Sequence, residues 1–195
     1  MITAIVLAAG ESKRIGIPKP LLAIGEKTFV RHIVDNLFQS SVENIIVVLG
    51  SNARQIESEL QGVDVTFVFN EHYREGQLSS IITGIDTAKS FRSDGFLIHP
   101  VDHPDVSPSL IGTLIDTFIK GKSLIVLPAY QGRRGHPVLF SAKLIYELRE
   151  ASQSLGARSV VWNHASEVVT VATQEEGCVL DIDTPDDYGH LQRNL

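Results

Sequence analysis

The sequence has few of the features that cross-link a chain or anchor it in a membrane. Its one cysteine, Cys178, can form no internal disulfide, and it has no neighbouring cysteine with which to bind zinc. No apolar run approaches the roughly 18 residues of a membrane span. The apolar N-terminus lacks a basic leader and runs into a glycine-bearing loop, which predicts a buried strand rather than a signal peptide. We therefore expect a cytoplasmic protein with no membrane partner, in which Cys178 is a packing residue.

Positive charge is scarce relative to negative charge. Lysine and arginine number 17 against 23 aspartates and glutamates, which gives a formal net charge of -6 at pH 7. This excess argues against binding along a nucleic-acid backbone, although it allows a local basic pocket for a triphosphate. Repeats and low-complexity segments are absent from the sequence as well. We predict one domain over residues 1–195, long enough to bury a core without disulfides or structural metal.

Short β-branched runs alternate with segments whose apolar residues recur at helical spacing. The predicted strands are residues 2–7, 44–49, 63–69, 95–99, 123–127, 138–140, 168–172 and 179–182. The predicted helices are residues 29–39, 52–60, 77–88, 108–119, 143–151 and 157–163, followed by a short terminal helix from Pro185. This order predicts an α/β fold whose mostly parallel sheet is covered by helices on both faces, with a small antiparallel excursion after Leu127. Small ligands should bind at the carboxyl ends of the strands.

The loop after the first predicted strand combines small residues, glycines and cations. Its small residues would let backbone N–H groups approach phosphate oxygens, while Arg14 and Lys19 could supply positive charge. The loop matches neither G-x-x-x-x-G-K-[ST] nor G-x-G-x-x-G, so neither a P-loop nor a dinucleotide site is supported. Composition alone fits a phosphate site and a flexible connection with solvent-facing cations equally well.

Five separated motifs are more specific than the loop alone. They are LAAGxSxRxG at residues 7–16 followed by Lys19, REGQLSS at 74–80 before Gly84, PVDHP at 100–104, RGHPV at 134–138 and DIDTP at 181–185. Together they resemble the MobA-like NTP transferase superfamily, and they are most similar to its molybdenum cofactor cytidylyltransferases. The resemblance implies a Rossmann-like nucleotidyltransferase fold that accepts an NTP and Mg²⁺.

The resemblance also assigns residues to the nucleotide and to catalysis. The implied nucleotide-binding residues are Leu7, Ala8, Ala9, Gly10, Ser12, Arg14, Lys19, Gly76 and Ser80. Lys19, Arg14 and Asp102 are the implied catalytic residues. Exposed N–H groups and hydroxyls around Gly76 and Ser80 could hydrogen-bond a base or ribose, although ordinary helix capping explains the same pattern.

Two carboxylates from distant segments are the candidates for a metal site. Asp102 follows an apolar predicted strand, so it should emerge at the carboxyl edge of the sheet and face the first loop. Mg²⁺ takes few protein carboxylates beside water and phosphate oxygens. Asp181 and Asp183 alternate along a predicted strand, so only one of them can face the site, and the family pattern selects Asp183.

A helix-start signal follows immediately and offers a structural role for nearby acids. Thr184 is a good N-cap, Pro185 suits the first helical position, and Asp186 and Asp187 fall in the first turn. We therefore assign Asp186 and Asp187 to the helix, while Asp183 could serve either the helix or a metal.

The motif at residues 134–138 places cations and an imidazole on a turn-rich loop. By itself this pattern fits a solvated hairpin tip. In the resembled family it belongs to the acceptor side, so Arg134 and His136 become candidates for binding an anionic pterin phosphate. His99 and His103 flank the predicted site, and we expect them to be structural or to support the site's ligands rather than to be ligands themselves.

The predicted function is Mg²⁺-dependent transfer of CMP from CTP to the phosphate of molybdopterin or molybdenum cofactor, with release of pyrophosphate. The preference for CTP comes from the resemblance, in which an Ala-Ala-Gly opening such as residues 8–10 goes with cytidine enzymes and an Ala-Gly-Gly opening with guanosine enzymes. The alternatives are a guanylyltransferase, a sugar-phosphate nucleotidyltransferase, or a nucleotide-binding cofactor chaperone without turnover. The partners are then small molecules, and any recipient molybdoenzyme or chaperone is left open.

Overall fold

A mixed β-sheet runs through the centre of the computed structural model, which describes residues 1–194. The strands of this sheet are β1 (Ile2–Ala8), β4 (Asn44–Leu49), β5 (Thr66–Phe69), β6 (Gly95–Pro100), β7 (Ile125–Tyr130), β8 (Arg133–Arg134), β9 (Val138–Ser141) and β10 (Val168–Thr173). Their order is β10-β7-β9-β6-β1-β4-β5, with β8 paired to β7. A separate short hairpin joins β2 (Ala23–Ile24) to β3 (Lys27–Thr28).

Strand direction confirms the predicted mostly parallel sheet with an antiparallel excursion. β1 pairs in parallel with both β4 and β6, β4 pairs in parallel with β5, and β7 pairs in parallel with β10. β9 runs antiparallel to β6 and β7, between which it lies. The excursion therefore joins two parallel groups of strands into one sheet.

Helices cover both faces of this sheet. Within the described chain they are α1 (Phe29–Phe38), α2 (Ala53–Glu59), α3 (Gln77–Thr87), α4 (Pro108–Gly121), α5 (Ile145–Glu150), α6 (Arg158–Asn163) and α7 (Pro185–Asn194). The side chains of α1, α2, α4 and α7 share one apolar layer, and those of α3, α5 and α6 share the other. No helix among residues 1–194 is both long and apolar enough to cross a membrane.

β1 shows why the chain forms two layers. All seven of its residues are buried, and its alternating side chains contribute to both sides of the sheet. Val6 packs in the layer of α1, whereas Ile5 packs in the layer of α3. Such an apolar strand is stable only in the middle of a covered sheet.

Most predicted elements are confirmed, with one exception near the C-terminus. The predicted strand at residues 179–182 is wrong, because a 3-10 turn at Glu176–Cys178 leads into an irregular extended segment. This segment makes one backbone hydrogen bond to the neighbouring loop, from Ile182 N to Asp102 O at 2.9 Å, and forms no ladder. Its buried apolar residues resemble those of a strand, which explains the mistaken prediction. Cys178 is fully buried, as expected of a packing residue.

Candidate active site

The loops after β1 and β6 form the wall of a cavity of about 330 Å³, called here the first cavity. Leu7 pairs with Pro100 in the parallel register, so the two loops begin side by side at the carboxyl edge of the sheet. β4 and β6 lie on opposite sides of β1, which creates the crevice where ligands bind in open α/β sheets. The predicted residues in this wall are Leu7, Ala9, Gly10, Ser12, Arg14, Lys19, Gly76, Ser80, Asp102 and Asp183.

Ala8 differs from the other predicted nucleotide-binding residues, all of which line the first cavity. Its side chain is fully buried in the apolar core and does not line the first cavity. Leu7 and Ala9 point to the other side of β1 and its extension, so alternation along the strand separates Ala8 from them.

The first loop is folded back on itself by its own polar groups. Ser12 adopts a left-handed conformation with φ of 52°, and its Oγ accepts a hydrogen bond of 2.8 Å from the backbone N of Lys19. The N of Gly16 donates to the carbonyl of Ser12 at 3.1 Å. These bonds fix the start of the 3-10 turn Lys19–Leu21 and so direct the Lys19 side chain into the first cavity.

Lys19 lies between the two predicted metal ligands. Its side chain is 13% exposed, and its Nζ contacts Asp183 Oδ1 and lies 3.4 Å from Asp102 Oδ2. The Nη2 of Arg14 lies 2.5 Å from the second oxygen of Asp183. The four residues predicted for catalysis and metal binding therefore form one cluster of two cations and two carboxylates.

The carboxyl of Asp183 is held ionised by these cations. Partial burial by itself would raise its pKa, but the hydrogen bond and charge of Lys19, together with Arg14, outweigh burial and keep the pKa below its usual value. Its neighbour Asp181 is exposed and does not line the first cavity. An ionised carboxylate is the form that a cation requires.

Asp102 carries an unsatisfied oxygen. Its Oδ1 is buried and has no hydrogen-bond partner among the described residues. Such an atom is costly unless an external ligand binds it, and hard oxygen donors of this kind suit a divalent cation. The described residues contain no group of three or more His, Cys, Asp or Glu side chains able to hold a metal. Asp102 and Asp183 therefore fit a metal only if water or phosphate oxygens complete its coordination.

Asp187 caps the last helix, as predicted, and Asp186 lies in the first turn of that helix. Asp187 Oδ2 accepts hydrogen bonds from the backbone N of Thr184 at 2.7 Å and of Asp183 at 3.1 Å. In return, Thr184 Oγ1 accepts from the N of Asp187 at 3.2 Å. This reciprocal cap fixes the start of α7 and also orients the backbone that carries Asp183.

Glu11 is directed away from the first cavity although it belongs to the first loop. Its carboxylate pairs with Lys13 at 2.7 Å and with Arg74 at 3.5 Å, and it does not line the cavity. The hydrogen bond from Lys13 lowers its pKa more than any other contact does. Its charge is thus partly neutralised, so it leaves the cavity free for an anion.

The start of α3 forms the opposite wall. Gly76 has a φ of 116°, which favours glycine, and it immediately precedes the helix. Ser80 Oγ accepts a hydrogen bond of 3.0 Å from Asn70 Nδ2 and lines the cavity. Tyr73 and Gln77 line it as well, and sequence reasoning did not single them out. Gln77 could have been found because it lies within the motif at residues 74–80.

Arg134 and His136 do not line the first cavity. They line a second cavity of about 340 Å³, and Gln77 is in the wall of both cavities. The His136 ring contacts the ring of His103, with 4.7 Å between centroids, and His103 directly follows Asp102 in the chain. The predicted acceptor residues are therefore next to the predicted nucleotide site and separate from it.

Burial keeps the histidines of this region uncharged. It lowers the pKa of His136 to about 3 and that of His99 to about 4, and it also lowers the pKa of His103. His99 is almost fully buried and its Nδ1 contacts the carbonyl of Pro100 at 3.1 Å. Neutral imidazoles leave the positive charge at these cavities to lysine and arginine.

Comparison with known proteins identifies the family. Residues 4–168 match the model of the MobA-like NTP transferase domain. A protein of Bacillus mycoides (strain KBAB4) named probable molybdenum cofactor guanylyltransferase is 28% identical over 201 residues, covering 98% of this chain and 96% of its own length. The nicotine blue oxidoreductase of Paenarthrobacter nicotinovorans is also 28% identical, over 192 residues that cover 94% of this chain and 92% of the relative. Because these two equally similar relatives have different activities in their names, overall identity does not fix the acceptor.

Solved structures agree with this family. Rv0371c of Mycobacterium tuberculosis H37Rv is 28% identical and has a TM-score of 0.83. The match covers 100% of this chain and 99% of that one. A second structure of Rv0371c, described as a complex with manganese, has 27% identity and a TM-score of 0.75 over 100% of this chain and 99% of that one. The match to the family model spans most of the sequence and contains the first loop and Asp102. The chain therefore belongs to the MobA-like NTP transferase family of nucleotidyltransferases.

Proposed function

We propose that the first cavity binds an NTP together with Mg²⁺, and that the protein transfers the nucleoside monophosphate to the phosphate of molybdopterin or of its molybdenum-loaded form. One observation carries this proposal: Lys19, Arg14, Asp102 and Asp183 converge in a single cavity wall. The cations suit phosphate oxygens and the carboxylates suit a hard cation. A site with both can neutralise a triphosphate and position it for displacement.

The proposed reaction is an in-line displacement at the α-phosphorus. An oxygen of the acceptor phosphate forms a new bond to this phosphorus, while the bond to the bridging oxygen breaks and its electron pair leaves with pyrophosphate. Lys19 and Arg14 stabilise the negative charge on the phosphoryl oxygens by exchanging carboxylate contacts for phosphate contacts. Mg²⁺, held by Asp102 and Asp183, would supply further charge neutralisation.

The acceptor needs no general base. A phosphate monoester is largely ionised near neutral pH, so it attacks without losing a proton. His136 could not serve as that base in any case, because burial lowers its pKa to about 3. We assign it, with Arg134, to the binding of the acceptor.

For the nucleotide we propose CTP, with GTP as the second candidate. Ala9 lines the first cavity and is 4% exposed, so its methyl group takes space that a glycine would leave open. The preference for CTP itself rests on the resemblance of residues 8–10 to cytidine enzymes. GTP is favoured by the name of the Bacillus relative, a probable molybdenum cofactor guanylyltransferase.

The rival functions on this fold differ in acceptor or in turnover. A sugar-phosphate nucleotidyltransferase would use the same first cavity with another acceptor. A nucleotide-binding cofactor chaperone would bind without catalysis, but the retention of Lys19, Asp102 and Asp183 in one cluster favours an enzyme. A recipient molybdoenzyme is compatible with the proposal and is not required by it.

The test is a thermal-shift series with CTP, GTP, ATP and UTP, each with and without Mg²⁺, followed by pyrophosphate release with molybdopterin. A ligand that binds the native state raises the melting temperature. We expect the largest Mg²⁺-dependent shift with CTP, and a larger GTP shift in Ala9→Gly than in the wild type. A larger shift of the wild type with GTP than with CTP would make GTP the assigned nucleotide. The absence of a shift with any NTP would contradict the proposed function.

A further inference from the structure

One part of the wall of the first cavity carries no charge. Its lining residues come from the segment 73–80 and are Tyr73, Gly76, Gln77 and Ser80. Within residues 1–194, every charged residue that lines the cavity lies in the first loop or is Asp102 or Asp183. This division matches that of a nucleotide, which has a charged triphosphate at one end and a flat, neutral base at the other.

Tyr73 supplies the only aromatic ring among the described residues that line this cavity. It begins the 3-10 turn Tyr73–Glu75, one residue before the motif at 74–80, and its side chain is half-buried. Aromatic side chains bind nucleobases by stacking, whichever base is present, because every base has a π-face. The uncharged part of the wall therefore contains a group suited to a base.

Contacts with three segments hold this ring in place. A Cβ atom at Gly50 would lie 2.7 Å from Tyr73 Cγ and 2.7 Å from the carbonyl oxygen of Ala9, so only glycine lets the ring pack this closely. The guanidinium of Arg74 lies over the ring, 5.2 Å from its centroid. Arg74 Nε in turn lies 3.5 Å from Glu11 Oε1 in the first loop. Tyr73 is therefore fixed beside Ala9, with one face of its ring under Arg74.

We infer that the base of the NTP stacks on Tyr73, on the ring face that Arg74 does not cover. Stacking does not distinguish bases by their hydrogen-bonding groups, so Tyr73 sets the affinity for the base and other groups of the cavity choose between CTP and GTP. The inference rests on the proposed function. It adds to it a nucleotide-binding residue that lies outside the five motifs.

Calorimetric titration separates binding of the base from binding of the phosphates. The probes are CTP, GTP and inorganic tripolyphosphate, each titrated into the full chain with saturating Mg²⁺. Tyr73→Leu should raise the dissociation constants of CTP and GTP at least about tenfold, because the aromatic stacking surface is lost. The dissociation constant of tripolyphosphate should not change, because tripolyphosphate has no base to stack.

Two further variants show whether the ring itself is responsible. Tyr73→Phe keeps the ring and should bind both nucleotides as tightly as the wild type does. Tyr146→Leu is the matched control, because Tyr146 is 79% exposed on α5 and lines neither cavity. In steady-state assays Tyr73→Leu should raise the KM for CTP with little change in kcat, because stacking stabilises the ground state and the transition state equally.

The outcomes separate this inference from the proposed function. Equal CTP affinity of Tyr73→Leu and Tyr146→Leu, equal losses in Tyr73→Phe and Tyr73→Leu, or a parallel loss of tripolyphosphate binding in Tyr73→Leu would overturn the inference. In each of these cases, a wild type that binds NTP with Mg²⁺ and releases pyrophosphate with molybdopterin would leave the proposed function intact. Absence of NTP binding by the wild type would contradict the proposed function instead.

Discussion

Lys19 and Asp102 are 83 positions apart in the chain, and they meet across the first cavity with 3.4 Å between Lys19 Nζ and Asp102 Oδ2. Lys19 also contacts Asp183, so one ammonium group lies against two carboxylates, and Arg14 supplies the second positive charge. In the proposed complex Asp102 and Asp183 would hold the metal, and Lys19 would be available to phosphate. The two cations and two carboxylates of the cluster therefore sum to zero charge before ligands bind, and a bound metal would make the cluster positive for a triphosphate.

The first prediction concerns the charge of Lys19. In the proposed reaction its ammonium group stabilises charge on the phosphoryl oxygens, so Lys19→Met should lower the rate of pyrophosphate release by about 10² to 10³. Substitution should also raise the affinity for Mg²⁺ in the absence of nucleotide, because it removes the one cation that contacts both carboxylates. The measurements are steady-state pyrophosphate release and calorimetric titration with Mg²⁺.

A surface lysine serves as the control for this variant. Lys120 pairs with Asp116 at 2.6 Å on the exposed side of α4, away from both cavities. Lys120→Met should retain wild-type turnover and wild-type Mg²⁺ affinity. Turnover of Lys19→Met within threefold of Lys120→Met would show that the ammonium group is not part of the reaction.

The second prediction compares two aspartates that lie two residues apart. Asp183→Asn removes a proposed metal ligand, so the Mg²⁺ concentration for half-maximal activity should rise at least about tenfold. Asp181→Asn is the matched control, because Asp181 is exposed and does not line the first cavity. The experiment is a Mg²⁺ titration of pyrophosphate release at saturating NTP. Equal Mg²⁺ dependence of the two variants would remove Asp183 from the metal site.

Much of the fold could be predicted because its signals are local. The strand at residues 44–49 is confirmed to the residue, since a buried parallel strand is a continuous apolar run. Other features are decided by contacts between distant segments. The extended residues 179–182 have the apolar pattern of a strand but make only a single backbone bond to the Asp102 loop, which no local pattern reveals. The hairpin of β2 and β3 was missed because two-residue strands have no periodicity to detect.

The sequence predicted the residues of the first cavity better than those of the second cavity. The first cavity is built from residues within motifs, so the resemblance reached most of its wall. The second cavity is formed where α6 packs over the sheet, and neither Arg158 nor Trp162 belongs to a motif that the resemblance used. Gln77 joins the two cavities only because α3 lies close to β1, a long-range relationship that the sequence pattern does not contain.

The third prediction tests that close approach of α3 to β1. A Cβ atom at Gly84 would collide with Ile5 Cγ2 and lie 3.2 Å from both Ile5 Cδ1 and Val48 Cγ2. Gly84→Ala should therefore lower the free energy of unfolding by about 1–3 kcal/mol, because the sheet and helix must move apart. Since α3 carries Gln77 and Ser80, NTP affinity should fall as well. Urea denaturation and nucleotide titration measure the two effects.

Gly112 is the matched control for this substitution. It also lies inside a helix, α4, but a Cβ there would have no heavy atom within 4 Å. Gly112→Ala should raise the free energy of unfolding by about 0.5–1 kcal/mol, through helix propensity alone. Equal effects at the two positions would mean that the contact between α3 and β1 is not tight.

The last prediction is a loss of stability in mild acid. Burial lowers the pKa of His99 to about 4 and that of His136 to about 3, against about 6.5 in an unfolded chain. Below pH 6.5 the unfolded chain binds protons that the folded protein does not. The stability associated with these histidines is thus complete above about pH 6.5 and falls as the pH drops toward 4 and then 3. Urea midpoints of the wild type should decrease between about pH 6 and 5, above the range in which most carboxylates titrate.

Two histidine variants give this pH dependence its control. His136→Asn should reduce the slope of unfolding free energy against pH by up to about 1.4 kcal/mol per pH unit in that window, because one buried neutral imidazole is gone. The pKa of His164 is shifted in the opposite direction, because the hydrogen bonds that its ring donates to Glu167 and Glu147 raise it, so its stabilisation is present in acid and is lost as the pH rises through that raised value. His164→Gln should therefore lower the free energy of unfolding by a constant amount below about pH 6.5 and leave its slope between about pH 6 and 5 unchanged. A wild-type urea midpoint that stays constant between about pH 6 and 5 would mean that burial does not hold His99 and His136 neutral. In that case His136 would add positive charge to the proposed acceptor site.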